Sequence, residues 1–154
     1  MNIDAKLNEL GLMLPAAPKP VAAYVPCVRS GNLVFVSGQL PTTAGNLMFT
    51  GKCPSPVDIE EAQECARQCV LNGLAILKAE LGGDWSKFVR VVRVGVFVQC
   101  DDTFTQQPQV ANGASEFLVK LLGDAGKHAR AAVGVNALPL NAPVEIEFVF
   151  EVQS

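Results

Sequence analysis

The sequence predicts a single α+β domain in which two long helices cover one face of a mixed β-sheet. Two segments, residues 55–81 and 108–122, carry apolar residues at the spacing of one helix face. The other regular segments are rich in β-branched and aromatic residues and are bounded by turn residues, which is typical of strands. The length of 154 residues suits one domain, with residues 1–20 as a helix and connector and residues 21–154 as the core.

The N-terminal part is predicted to be a short helix followed by an extended connector. Ile3, Leu7 and Leu10 recur at helical spacing. Three prolines between residues 15 and 20 then exclude a continued helix. The first strands are expected at residues 21–28 and 33–36, joined by a turn at Gly31 and Asn32, with a weak third strand near residues 47–49.

The two long helices have recognisable ends. Ser55 is the expected N-cap of the first helix, because Asp58 follows three residues later. Gly82 and Gly83 end this helix, and Gly123 ends the second. The apolar stripe of the first helix consists of Ile59, Ala62, Ala66, Cys69, Gly73, Leu74, Leu77 and Leu81. The buried face of the second consists of Val110, Ala114, Phe117, Leu118 and Leu121.

The later strands indicate how the sheet is covered. Residues 89–98 are apolar on both faces, which predicts a central strand buried on both sides. Residues 144–152 alternate apolar residues with Glu145, Glu147 and Glu151. Two helices can cover only one face of the sheet. We therefore expect the second face to be buried against other subunits of a homo-oligomer.

Composition excludes several classes of protein. Apolar residues make up 49% of the chain and charged residues 18%, as in a globular protein with a large core. The net charge of −3, without a stripe of Lys and Arg, argues against a nucleic-acid partner. No apolar run reaches membrane-spanning length, and residues 1–14 lack the pattern of a signal peptide. We expect a cytoplasmic protein.

Cysteine and histidine usage argues against a metal site. The five cysteines are an odd number, and in a reducing compartment we expect free thiols that pack as small apolar residues. Cys65 and Cys69 could share a helix face, but two thiols and the single His128 are too few ligands for zinc. Glycine-rich nucleotide loops and a nucleophile elbow are also absent from the sequence. We expect no metal and no cofactor.

The most informative segment surrounds Arg130. Strand alternation places Arg130, Ala132 and Gly134 on one face. Small neighbours would leave a hollow around the guanidinium, and arginine binds a carboxylate through two parallel hydrogen bonds. The alternative is an arginine that is solvated or paired with Glu145 or Glu147. If the last two strands pair, Glu145 lies near Arg130, where it could orient a water molecule.

Other residues could have either a structural or a functional role. Tyr24 could be a core or interface residue. Asn112, a poor helix former in the second helix, could be merely exposed or could bind a ligand. Ser37 and Gly38 could offer a hydroxyl and an amide, or could simply end a strand. Trp85 is more typical of a packing anchor, and Cys100 of a structural thiol.

Several segments together resemble the Rid (YjgF-type) reactive-intermediate deaminase family. The resemblance covers residues 24–152 and includes the order of the motifs and the spacing from Arg130 to Glu145. The matching segments are Tyr24, Gly31-Asn32-Leu33-Val34-Phe35-Val36-Ser37-Gly38-Gln39-Leu40-Pro41, Asp102-Thr103-Phe104 with Asn112, Ala129-Arg130, Leu138-Pro139 and Val144-Glu145-Ile146-Glu147.

The resemblance implies a fold, an assembly and an activity. The implied fold is like that of bacterial chorismate mutase, assembled as a homotrimer with active-site clefts between subunits. The implied reaction is that of a 2-iminobutanoate/2-iminopropanoate deaminase, a hydrolase that converts small 2-imino acids or their enamines to 2-keto acids and ammonia. The family implies no cofactor. Some relatives are described as endoribonucleases of the L-PSP type, and a non-catalytic protein that binds small carboxylates is a further alternative.

The resemblance also implies roles for individual residues. Arg130 would bind the substrate carboxylate, and Glu145 would position or activate water. Tyr24 and Asn112 would line the cleft, with Ser37 and Gly38 near the ligand. Two positions depart from the family. Ala132 replaces a common cysteine whose backbone carbonyl faces the imine nitrogen, and His128 replaces a proline. We expect His128 to be a loop residue.

Overall fold

The computed structural model describes residues 1–19 and 23–154. The helices are α1 (Ile3–Glu9), α2 (Ile59–Glu80) and α3 (Gln107–Leu122). The strands are β1 (Cys27–Ser30), β2 (Leu33–Gln39), β3 (Thr42–Thr43), β4 (Asn46–Leu47), β5 (Phe88–Gln99), β6 (Ala129–Val135) and β7 (Val144–Val152). These residues include no helix long and apolar enough to cross a bilayer.

Five strands form one mixed sheet in the order β1-β2-β7-β5-β6. Neighbouring strands are antiparallel except β5 and β6, which are parallel and are connected through α3. The predicted α+β class and the single mixed sheet are confirmed. The strand at residues 89–98 was expected at the centre; β5 is internal, but β7 occupies the middle of the sheet.

Helices α2 and α3 cover one face of this sheet. Alternate residues of β7 lie beneath them and are buried, whereas the intervening residues are only half-buried. The buried residues of β7 are Val144, Ile146, Phe148, Phe150 and Val152. Burial of apolar surface contributes about 25 cal/mol per Å², so the packing of these residues against the helices stabilises the fold. The predicted alternation of the last strand is therefore confirmed.

Three predicted boundaries need correction. The N-cap of α2 is Asp58 and not Ser55, because Asp58 accepts a hydrogen bond from the Glu61 amide while the Glu61 carboxylate accepts one from the Asp58 amide. The weak third strand near residues 47–49 is instead the small hairpin of β3 and β4, which turns at Ala44 and Gly45 with φ of 50° and 82°.

The third correction concerns the first strand. It was expected at residues 21–28 but runs over Cys27–Ser30 in the described chain. The start of that prediction, like the end of the proline-rich connector, falls on residues 20–22 and lies outside the described residues. The turn at Gly31 is confirmed, with φ of 58°.

The N-terminal helix is fastened to the core by both apolar and polar contacts. Ile3 and Leu7 are buried. Asp4 accepts a hydrogen bond from the Trp85 indole at 3.0 Å and pairs with Lys78 at 2.8 Å. Trp85 is itself buried, so its predicted role as a packing anchor is confirmed.

The second face of the sheet carries apolar side chains without a covering element among the described residues. Val28, Phe35 and Val133 are 55%, 45% and 46% exposed. Their strands place them on the face opposite the helices, together with the ion pair of Arg93 and Glu147 at 3.4 Å. We call this the open face. A face that is buried between subunits needs apolar residues of this kind, and such burial of the open face stays a prediction.

Helices α2 and α3 approach closely at Gly113. A Cβ at this position would overlap the carbonyl oxygen and Cα of Gln63 in α2. Backbone atoms cannot rotate away, so the absence of a side chain at Gly113 sets the distance between the helices.

We predict that Gly113→Ala lowers the free energy of unfolding by about 2 kcal/mol through overpacking. Helix propensity alone would give the opposite sign, a gain of about 1 kcal/mol. Urea denaturation at fixed protein concentration measures the difference. Glu116→Ala, at an exposed position of α3, is the matched control and should change the value by less than about 0.5 kcal/mol. A stabilised Gly113→Ala protein would contradict the close approach.

Candidate functional site

Arg130 lies on edge strand β6, on the face covered by helix α3. Its position in the parallel ladder is opposite Val94, which is fully buried under the helices. The guanidinium Nη1 donates to Asn112 Oδ1 at 2.9 Å and to Ser115 Oγ at 3.1 Å. Asn112 and Ser115 are one helical turn apart on α3 and therefore share a face. Helix and strand together hold one nitrogen of the guanidinium in place.

The loop residue His128 extends this hydrogen-bonded group. Its Nε2 lies 2.9 Å from Ser115 Oγ, and its Nδ1 lies 2.6 Å from the Gly126 carbonyl. Burial lowers the pKa of His128, and the positive charge of Arg130 acts in the same direction, while the Gly126 carbonyl opposes both. Sequence reasoning missed Ser115. Its signal was the three-residue spacing from Asn112 combined with the two-residue spacing from His128 to Arg130.

The small residues beside Arg130 only partly form the expected hollow. Ala132 follows on the same face and is half-buried against the core. Gly134 is exposed and lines a separate cavity of about 250 Å³ together with Cys100 and Gln107. Arg130 and Ala132 are not among the described residues that line this cavity, so the expected hollow is not continuous along the strand.

A second polar group lies where β2 ends. The pairing of β2 with β7 shifts between Val36 and Gln39, so that Ser37 and Gly38 form a β-bulge. A Cβ at Gly38 would overlap the Glu145 carboxylate, so this carboxylate lies directly against the Gly38 backbone. Ser37 Oγ donates to the Val25 carbonyl at 2.9 Å. The bulge thus brings a hydroxyl, a glycine and a carboxylate together.

A cavity of about 510 Å³ adjoins this second group. Its wall includes Gly38 and Tyr24, whose side chain is 65% exposed. Other lining residues are Pro15, Pro18, Thr42 and Asn72. The N-terminal connector therefore contributes to the surroundings of Gly38.

Glu145 is half-buried, and its surroundings make ionisation of its carboxyl less favourable than in water. Burial raises the pKa of its carboxyl, and the neighbouring charge of Glu147 raises it further. A carboxylate with a raised pKa is a better proton acceptor than an ordinary glutamate, and this one lies against Gly38, which lines the cavity.

The two groups lie on opposite faces of the sheet. Strands β6 and β7 do not pair, because β5 lies between them. Arg130 shares the covered face with Val94, whereas Glu145 alternates with Val144 and Ile146 and so belongs to the open face. The expectation that Glu145 would lie near Arg130 within one chain is therefore wrong. It rested on the assumption that consecutive strands are neighbours.

The sequence matches one protein family over most of its length. The profile of the family described as "Endoribonuclease L-PSP" matches residues 14–152. Protein TCP17 of Trypanosoma cruzi is 40% identical over 153 residues, which are 99% of this chain and 95% of the relative. A protein of Dermatophagoides farinae named 2-iminobutanoate/2-iminopropanoate deaminase is 32% identical over 140 residues, which are 90% and 93% of the two chains.

A solved structure has the same fold. The crystal structure of a protein of unknown function from Agrobacterium tumefaciens superposes with a TM-score of 0.91. It is 44% identical in sequence, and the match covers 99% of this chain and 93% of that one. The match includes the N-terminal helix, which lay outside the resemblance seen in the sequence.

We predict that Glu145→Gln stabilises the protein at neutral pH. The folded carboxyl binds its proton at a higher pH than the unfolded one, so stability is lost as the pH rises through that window. The neutral amide removes this loss. Thermal unfolding should show a higher Tm for the variant near pH 7 and a smaller difference below about pH 4. Glu151→Gln removes a carboxylate from the same face of β7 as a control. A lower Tm for Glu145→Gln near pH 7 would contradict the assignment.

Proposed function

The chain belongs to the Endoribonuclease L-PSP family, also called the YjgF/Rid family, and on this basis we propose that it hydrolyses small reactive 2-imino acids to 2-keto acids and ammonia. The relative from Dermatophagoides farinae carries the name of that activity. The proposed substrate has a carboxylate and an electrophilic C=N carbon. The protein must therefore bind an anion and direct a water molecule to the adjacent carbon.

The proposal rests on how the Arg130 guanidinium is held. Both Nη1 hydrogens are directed to Asn112 and Ser115. Among the described residues, Nε and Nη2 contact no acceptor. These two nitrogens form one edge of the guanidinium, and that edge matches the two oxygens of a carboxylate. A substrate bound in this way is held in a single orientation.

Glu145 is proposed as the group that activates water. The carboxylate accepts a proton as the water oxygen forms a bond to C2 of the imine, and the C=N bond becomes a single bond. The same proton is then donated to nitrogen, which gives an intermediate with a hydroxyl and an amino group on C2. Glu145 next takes the hydroxyl proton and delivers it to the amino group, so that the C–N bond breaks and ammonia leaves as the C2 carbonyl forms. The raised pKa makes the Glu145 carboxylate a stronger base than an exposed glutamate, which favours its acceptance of the proton from water. Positioning and charge complementarity supply the remaining acceleration, because the imine is already electrophilic.

We propose that the complete site forms between subunits of a homotrimer. Arg130 and Glu145 cannot face one substrate within a chain, because they lie on opposite faces of the sheet. The edge strand β6 of one protomer can approach the open face of the next. There Glu145, Gly38, Ser37 and Tyr24 of the second protomer would surround a substrate that Arg130, Asn112 and Ala132 of the first hold. The exposed apolar residues of the open face would be buried in the same contact.

A second candidate function is binding of small carboxylates without catalysis. Within one protomer, Asn112 and Ser115 orient the Arg130 guanidinium without any contribution from Glu145. This arrangement favours carboxylate binding that does not need Glu145. Cleavage of RNA, which the family description names, has less support. The net charge is −3, and both ring nitrogens of the single histidine are already hydrogen-bonded.

We predict that Arg130→Ala abolishes deaminase activity, because the substrate carboxylate loses both of its hydrogen bonds. Bidentate pairing with a charged group contributes about 3 kcal/mol, which corresponds to a loss of at least about 100-fold in kcat/KM. The substrate is generated in situ by an amino-acid oxidase, and semicarbazide traps what the protein leaves unhydrolysed. Arg67→Ala, at an exposed position of α2, is the matched control and should retain activity.

The outcomes separate the two candidates. Suppression of semicarbazone by the wild type and by Arg67→Ala, but not by Arg130→Ala, supports the deaminase. Activity that persists in Arg130→Ala contradicts the proposed anchor. A wild type that binds 2-keto acids without suppressing semicarbazone would favour the carboxylate-binding protein.

A further inference from the structure

We propose that Ser115 and His128 are positioning residues that orient the Arg130 guanidinium for carboxylate binding. This inference rests on the proposed role of Arg130 as the anchor of the substrate carboxylate. It adds two residues to that role, and neither would touch the substrate. His128 would act through Ser115, and Ser115 would act through Arg130.

The direction of each hydrogen bond follows from the atoms involved. The Gly126 carbonyl can only accept, so the nitrogen 2.6 Å from it, His128 Nδ1, must carry a hydrogen. In the neutral ring Nε2 is then without hydrogen and accepts from the Ser115 hydroxyl at 2.9 Å. With its hydrogen directed to His128, Ser115 Oγ presents lone pairs to Arg130 Nη1 at 3.1 Å. The Gly126 carbonyl thus orients the His128 ring, the ring orients the Ser115 hydroxyl, and the hydroxyl orients the guanidinium.

Without His128, the Ser115 hydroxyl group is free to rotate. A hydroxyl hydrogen directed at Arg130 Nη1 would replace the attraction between Ser115 Oγ and the guanidinium by repulsion. The ring is half-buried, and burial together with the charge of Arg130 keeps its pKa below the ordinary histidine range. The neutral ring with hydrogen on Nδ1 therefore prevails at neutral pH. This state directs both Nη1 hydrogens away from the substrate and leaves the Nε and Nη2 edge available.

The local geometry explains why the arrangement is stable. Asn112 and Ser115 lie one turn apart on α3, while His128 and Arg130 lie two residues apart along the chain entering β6. The Gly126 carbonyl belongs to the short turn that connects the two elements. Two helix residues therefore face the loop residue His128 and the strand residue Arg130, and the Gly126 carbonyl in the connection holds the histidine.

Paired substitutions test the role of each atom. Ser115→Ala removes the hydroxyl, whereas Ser115→Thr retains it. His128→Gln places an amide oxygen near the position of Nε2 and so can still accept from Ser115. His128→Asn places an amide near Nδ1 and can still donate to Gly126, but it does not reach Ser115. A role in holding the loop alone would favour Asn over Gln at this position.

The first readout is calorimetric binding of 2-oxobutanoate, the keto-acid product of the proposed reaction. We expect Ser115→Ala and His128→Asn to raise its Kd about tenfold, and Ser115→Thr and His128→Gln to stay within about threefold of wild type. In the deaminase assay the same two weak binders should show a raised KM with kcat within about twofold of wild type, since positioning of the carboxylate affects ground state and transition state alike.

The second readout is the nitrogen spectrum of the imidazole, which is unambiguous because the chain has one histidine. We expect the hydrogen on Nδ1 at neutral pH, and we expect Arg130→Ala to raise the pKa of His128 because a neighbouring positive charge is removed. A ring with its hydrogen on Nε2 would overturn the proposed direction of the chain of hydrogen bonds.

The binding series distinguishes failure of this inference from failure of the proposed function. If Arg130→Ala abolishes 2-oxobutanoate binding while Ser115→Ala and His128→Asn bind as wild type does, positioning is overturned and the anchor stands. If Arg130→Ala still binds 2-oxobutanoate normally, the anchor and the positioning role are both overturned. If the wild type binds but does not hydrolyse imines, only the proposed reaction fails, and the Kd series still decides the role of Ser115 and His128.

Discussion

The parallel pairing of β6 with β5 determines where the candidate functional side chains lie. In this register Arg130 is opposite Val94 and therefore faces α3, where Asn112 and Ser115 can hold it. Side chains alternate along a strand, so a shift by one residue would turn Arg130 to the open face. The connection from β5 through α3 to β6 brings Asn112 and Ser115 of the helix against Arg130 of the strand.

The same sheet separates the two polar groups of the proposed site. Glu145 lies on the open face against Gly38, in the bulge that ends β2. Its pKa is raised by burial and by Glu147, so the fold retains a carboxylate where ionisation is unfavourable. Such a cost is common at functional sites and uncommon on an ordinary exposed strand. The proposed assembly brings the β6 edge of one subunit to the open face of another. It would explain the raised pKa of Glu145, the exposed apolar residues of the open face and the separation of Arg130 from Glu145 within one chain.

Much of the fold could be predicted from the sequence because its signals are periodic. The apolar stripes of α2 and α3 and the alternation of β7 depend only on local spacing, and the structure confirms them. Strand order is a different kind of information. The insertion of β7 between β2 and β5 is set by tertiary packing, so the supposed pairing of the last two strands, and with it the closeness of Arg130 and Glu145, was wrong.

The candidate site could be predicted in part. Resemblance to the family identified Arg130, Glu145 and Asn112, and the structure brings Arg130 and Asn112 into contact. Ser115 and His128 were not recognised as a pair, because their contact joins a helix to a loop thirteen residues later. The N-cap of α2 was misplaced since two candidate caps, Ser55 and Asp58, each have an acidic residue three positions on, and only Asp58 forms the reciprocal hydrogen bonds.

The most direct test of a site shared between subunits is the activity of mixed oligomers. Arg130→Ala and Glu145→Gln chains, each expected to be inactive alone, are co-expressed with different tags, and the oligomers that carry both tags are isolated. If each cleft takes Arg130 from one subunit and Glu145 from the next, every mixed trimer retains one intact cleft. A site shared between neighbouring subunits should give the isolated mixed oligomers about one third of the wild-type deaminase activity. Mixed oligomers with no more activity than the separate variants would place both residues of each site in one chain and would exclude a shared site.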